Sequence, residues 1–264
     1  YTAWYNMGIA YSKMKKYDEA IESYQYSIDI EPTFGSAYYN LGNAYMNLLQ
    51  YEAAEEAYKN CLRYEDANPM NYCSLASCYE KLNNLDKAIQ YYRDALKIDP
   101  LWDEAYYGIA YCLADKEFWF EASHYMKKAI KLNPDCAIYY TGLGDIEAFL
   151  NNYASADEAY QTSIELDPFM VISWVKWAEM HYEQNSFERA SEIMLSAIDD
   201  NLEEAELYYR AAIFLIKAGQ FKEAFHYLES ALMLDYDQHE IIYHYFPDVN
   251  TQKQIFKLIQ QYKK

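Results

Sequence analysis

Seven alanines, Ala20, Ala54, Ala88, Ala122, Ala156, Ala190 and Ala224, stand 34 residues apart with no insertion or deletion between them. Twelve residues before each sits a small residue: Gly8, Gly42, Ala76, Ala110, Gly144, Ala178 and Ala212. Four residues earlier again comes an aromatic: Trp4, Tyr38, Tyr72, Tyr106, Tyr140, Trp174 and Tyr208. A fixed period of this length constrains the fold more than any other feature of the chain. One unit cannot bury its apolar face alone, so successive units must stack.

Numbering each repeat from 1 to 34, the apolar and small residues at 4, 7, 8 and 11 are spaced 3, 1 and 3, which is one face of a helix. Positions 20, 24 and 27 are spaced 4 and 3, a second helical face. Polar breaks such as Lys15-Lys16, Asn83-Asn84 and Asn151-Asn152 separate the two. Each repeat is therefore two antiparallel helices. Pro32, Pro100, Pro134 and Pro168 lie just past the second helix, where a missing N–H ends it. Asp66, Leu202 and Tyr236 replace that proline elsewhere, and the corner at Asn201-Leu202 is the expected point of flexure. Only 7 glycines and 6 prolines agree with an almost wholly helical chain.

The frame closely resembles the tetratricopeptide repeat. The resemblance implies an all-α fold, an α-solenoid of antiparallel helix pairs wound into a right-handed superhelix. The repeats are 1–34, 35–68, 69–102, 103–136, 137–170, 171–204 and 205–238. Residues 239–264 then read as capping helices. A short helical segment spans 238–246, and Asn250 or Thr251 caps a final helix over 252–262 whose sticky face is Ile255, Phe256, Leu258, Ile259 and Tyr262. The first repeat carries no comparable lid, so the chain is expected to be the C-terminal part of a longer protein.

The formal charge is −19, and it is uneven: repeats five and six hold fourteen acidic residues against Lys176 and Arg189. Such a surface repels a phosphate backbone and argues against nucleic acid as a partner. Five cysteines make no disulfide framework, and Cys61, Cys78 and Cys112 fall on packing positions. A reducing, cytoplasmic setting and no membrane association are expected. The five histidines are scattered, and Gly142-Leu143-Gly144 lies inside a helix and cradles no phosphate. No catalytic constellation, metal site or cofactor motif emerges, so the chain is not expected to be an enzyme.

In proteins of the resembled family, positions 2, 5, 6, 9 and 13 of the first helix line the concave groove that holds peptides. Here the groove residues implied are Tyr5, Asn6, Tyr39, Asn40, Asn43 and Asn47 in repeats one and two, Tyr107 and Tyr111 in repeat four, and Lys176 and Arg210 further on. Asparagine donates and accepts at once, so it pairs with a peptide backbone without reading its sequence. Tyrosine adds flat contact area at low entropy cost. Family members that clamp a C-terminal carboxylate carry a basic residue at position 5. None of Tyr5, Tyr39, Cys73, Tyr107, Thr141, Val175 and Tyr209 is basic, so that variant is excluded. The expected function is a scaffold that binds an extended protein or peptide partner in the groove. The alternatives are a self-associating module, pairing through the uncapped first repeat or the C-terminal lid, and a regulatory or targeting segment of a larger protein with its catalytic domain elsewhere.

Overall fold

A computed structural model describes residues 1–246 and 249–263. The 34-residue frame becomes seven helix pairs. In repeats one to four these are α1 (Thr2–Lys13) with α2 (Tyr17–Ile30), α3 (Gly35–Asn47) with α4 (Tyr51–Tyr64), α5 (Pro69–Lys81) with α6 (Leu85–Ile98), and α7 (Asp103–Asp115) with α8 (Trp119–Leu132). In repeats five to seven they are α9 (Ala137–Phe149) with α10 (Tyr153–Leu166), α11 (Val171–Glu183) with α12 (Phe187–Asp200), and α13 (Ala205–Lys217) with α14 (Phe221–Leu234). A 3-10 turn, Tyr236–Glu240, then leads into α15 (Ile241–Tyr245) and α16 (Val249–Tyr262). No strand occurs among the described residues. The chain divides into two compact units, Tyr1–Pro134 and Asp135–Lys264, at the corner between repeats four and five.

All seven alanines at position 20 are fully buried. So are the small residues at position 27: Ser27, Cys61, Ala95, Ala129, Ser163, Ala197 and Ala231. Positions 8 and 24 are matched in size. Where position 8 is glycine, a tyrosine ring lies directly on it: Tyr24 on Gly8, Tyr58 on Gly42, Tyr160 on Gly144. A Cβ at these glycines would come within 2.5, 2.6 and 2.7 Å of the ring. Where position 8 is alanine, position 24 is a flexible or smaller side chain: Met126, Met194 and Leu228, all buried. Repeat three departs from this. It pairs Ala76 with Tyr92, and the Tyr92 ring lies on Gly108 of the next repeat, where a Cβ would stand 2.2 Å from Cζ.

The turn inside every repeat has one geometry. Position 15 sits in the left-handed region, at Lys15, Leu49, Asn83, Glu117, Asn151, Asn185 and Gly219. In each, the N–H of position 16 reaches back to the carbonyl of position 11 and that of position 15 to position 12, as in Lys16 to Tyr11 and Lys15 to Ser12, both 3.0 Å. This doubly bonded helix end satisfies two carbonyls that would otherwise be orphaned. It recurs through backbone geometry although only one of the seven residues is glycine.

Three expectations need correction. The Asn201 corner is pinned: Asn201 is buried, and its Nδ2 donates to the carbonyls of Pro168 (3.1 Å) and Ala197 (3.0 Å). A side-chain amide ties there what proline stiffens elsewhere. In the C-terminal lid, Ile255 and Ile259 are buried in the second unit's core and Leu258 and Tyr262 pack beside them, but Phe256 is 52% exposed. It falls one position off the seam that Ile255 and Ile259 define at helical spacing. Finally, α16 begins at Val249, so Asn250 and Thr251 fall inside its first turn rather than ahead of it. Their side chains, and Pro247, lie outside the described residues.

Candidate functional site

Within each unit, first helices of neighbouring repeats lie against one another, and hydrogen bonds between them organise the face they present. In the first unit, Tyr5 is half-buried, its ring 4.9 Å from Phe34 and 6.1 Å from Tyr24. Its hydroxyl accepts from Asn40 Nδ2 at 2.9 Å, and the same amide donates to the Ser36 carbonyl at 3.1 Å. One repeat on, Ser74 Oγ donates to the Tyr39 hydroxyl at 3.3 Å, with the Tyr39 ring against Tyr58. Position 5 of one repeat thus meets position 6 of the next. Of the remaining position-5 residues, Cys73, Thr141, Val175 and Tyr209 are buried and Tyr107 is half-buried. Position 5 packs between repeats, and the open edge of the face belongs to positions 6, 9 and 13.

Asn43 is oriented from behind. Tyr58 donates to its Oδ1 at 2.7 Å, and burial holds the phenol well above its ordinary pKa, so the hydroxyl stays a donor. Asn47 is exposed, and its Nδ2 donates to the Asn43 carbonyl at 2.8 Å. Asn6 is exposed. Asn6, Asn40 and Ser74 therefore follow one another at position 6, with Asn43 and Ser77 at position 9. In repeat four Gly108 is covered by Tyr92, while Tyr111 is 48% exposed with its ring 6.4 Å from that of half-buried Tyr107.

The second unit presents a different chemistry. Lys176 is half-buried near Asp145, whose carboxyl is pushed above its usual range by burial, although Tyr160 donates to it at 2.6 Å. The Arg210 side chain is only 12% exposed. Its guanidinium donates to Glu179 (2.6 Å), Glu206 (2.8 Å) and the Tyr245 hydroxyl (3.2 Å), joining α11 and α13 to α15. The Tyr245 ring stands edge-on to Tyr182 and Phe214, and Lys217 Nζ lies over the rings of Tyr182 and Phe246. Arg210 is thus a staple of the C-terminal cap. The orienting phenols Tyr58 and Tyr160 were legible in the sequence only as large core residues at position 24.

Among the described residues no three His, Cys, Asp or Glu side chains are placed to share a metal ion. His181 and Trp177 both bond the same Asp157 oxygen, the histidine at 2.8 Å. The cysteines are free. Burial pushes the Cys61 and Cys73 thiols up to about 12 and Cys78 to about 11, which makes them poor nucleophiles. Among the described residues no helix is long and apolar enough to cross a membrane.

Family models described as tetratricopeptide repeat match residues 1–34 and 71–100, 23–56, 107–171 and 202–238. Together they take in well over half of the chain. No curated protein sequence matches it. Among solved structures, a tetratricopeptide repeat protein from Parabacteroides merdae is 19% identical with a TM-score of 0.69, covering 98% of each chain. The C-terminal part of a repeat-containing protein from Cytophaga hutchinsonii is 16% identical with a TM-score of 0.65, covering 95% of this chain and 98% of that one. YrrB, described as a tetratricopeptide repeat protein with an unusual peptide-binding site, is 22% identical with a TM-score of 0.52, over 64% of this chain and 88% of its own.

Proposed function

Because the chain belongs to the tetratricopeptide repeat family, a scaffold for protein–protein interaction, we propose that its first unit binds an extended polypeptide along the face of its first helices. The observation that carries this reading is the row of amides and hydroxyls at positions 6 and 9. Tyr5, Tyr39 and Tyr58 each hold one atom of Asn40, Ser74 or Asn43. A polar group fixed in one rotamer loses little freedom on binding, and an asparagine held by one atom still has others to offer a peptide backbone. Exposed Asn6, Asn47 and Tyr111 extend the row. The fold is put to that use in YrrB, described by its peptide-binding site.

The test separates gripping from folding. Asn43→Asp keeps the oxygen that accepts from Tyr58 and removes the amide donor. Asn6→Ala touches an exposed residue. A peptide selected by display against the whole chain is titrated calorimetrically into parent and double variant. Affinity falls roughly tenfold or more if one or two hydrogen bonds are lost. An unchanged affinity removes this face from the site.

A further inference from the structure

The junction of repeats five and six holds a hollow. A cavity of about 340 Å³ opens between the ends of α9 and α11 and the start of α10, lined by Ala148, Phe149, Tyr153, Met180, Glu183 and Gln184. Its origin lies in two positions of the frame. Position 12 is Ala148 in repeat five but Tyr182 in repeat six, and position 13 is Glu183 in repeat six but Lys217 in repeat seven. At the later junction Lys217 lies 5.9 Å over the Tyr182 ring, so an aromatic and a cation fill the space from within. At the earlier one the aromatic is reduced to a methyl group and the cation is replaced by an acid. The Phe149 ring is left 63% exposed and Tyr153 37% exposed at the rim.

We propose that this hollow receives an arginine side chain of a protein or peptide partner. Glu183 is exposed and supplies the opposite charge, and the two rings supply flat surfaces on which a guanidinium stacks. Met180 is an adaptable apolar wall for the methylenes. Gln184 spends its Nε2 on the Met180 carbonyl at 3.2 Å, which leaves its oxygen as an acceptor. The wider field has the same sign. Two helix C-termini meet one N-terminus at the cavity, and Asp145 and Glu179 continue the acidic row along the first helices. The basic residues of these two repeats are Lys176 and Arg189; neither lines the hollow, and Arg189 is engaged with Glu192 and the Trp177 ring. Charge complementarity thus selects a basic occupant, and aromatic rings beside a carboxylate select the planar cation over an ammonium. This inference stands apart from the peptide face of the first unit, and neither test bears on the other.

The probe is the peptide acetyl-Gly-Gly-Arg-Gly-Gly-amide, titrated into the whole chain labelled at its methionine methyl groups, with Met180 assigned by Met180→Leu. The Met180 resonance is expected to move saturably. The neutral isostere with citrulline in place of arginine should bind at least tenfold more weakly, and the lysine peptide several-fold more weakly. Glu183→Gln, an exposed change, should weaken the arginine peptide at least fivefold. Ala148→Tyr, which refills the hollow as Tyr182 does next door, should abolish the shift. Equal binding of the citrulline peptide, or full affinity in Glu183→Gln with the fold intact, overturns the assignment. So does a response spread over other methionines without saturation at Met180, which would mark diffuse attraction to an acidic surface.

Discussion

At the scale of single residues, the molecule is governed by pairs rather than by a consensus. Positions 8 and 24 form a size lock: glycine under tyrosine in repeats one, two and five, alanine under methionine or leucine in repeats four, six and seven. The tyrosine version also reaches through the helix pair to orient a polar group, as Tyr58 does for Asn43 and Tyr160 for Asp145. The lock predicts a sign reversal. Gly42→Ala alone drives a methyl group into the Tyr58 ring and should cost about 1–3 kcal/mol. In the double variant Gly42→Ala/Tyr58→Met, which copies the Ala110–Met126 pair of repeat four, most of that loss should return. Urea unfolding of the four chains in a double-mutant cycle measures the coupling. Additive losses would mean that the ring moves aside and no lock exists.

At the scale of elements, the helix pairs were legible because a strict period carries its own alignment. Fully buried residues at 20 and 27 and the turn at 15 and 16 follow from spacing alone. Position 5 was not legible. Its residues range from Tyr5 to Val175 in chemistry, and what unites them is a neighbour in the next repeat that local periodicity does not reveal. Arg210 misled for a related reason: its partners Glu179 and Tyr245 stand 31 and 35 residues away, so a basic residue on a binding stripe is structurally committed. The C-terminal cap was readable as an amphipathic end, down to Ile255 and Ile259, while the outward turn of Phe256 needed the helix phase. Because those two isoleucines complete the second unit's core, deletion of residues 251–264 should expose the apolar side of α14. Size-exclusion chromatography and thermal melting should then report a lower melting temperature and self-association. A monomer of parental stability would make the segment dispensable.

At the scale of the whole molecule, the −19 charge meets two partly buried acids, Glu80 and Asp145, both pushed above the usual carboxylate range by burial. Glu80 still accepts from Tyr92 at 2.7 Å. A carboxyl whose pKa is higher folded than unfolded contributes stability that is complete below its unfolded value and is lost as pH rises through the folded one. The contribution of these two groups should therefore fall as pH rises above about 4. Glu80→Gln, which keeps an acceptor for Tyr92, should be the more stable chain at pH 7 and lose its advantage at pH 4. Urea midpoints at the two pH values decide it, and a constant difference would remove Glu80 from the effect. The Tyr92 ring seated on Gly108 reaches further than its local contact. It makes the seam between repeats three and four a shared one, so the units are not interchangeable bricks. A chimera that joins residues 1–102 to a foreign repeat must also bring a glycine at its sixth position, whereas a graft made at the seam after repeat one carries its own lock intact. Exchange of modules in such an array is limited by where a side chain crosses the border, and here the 34-residue ruler marks the wrong place to cut.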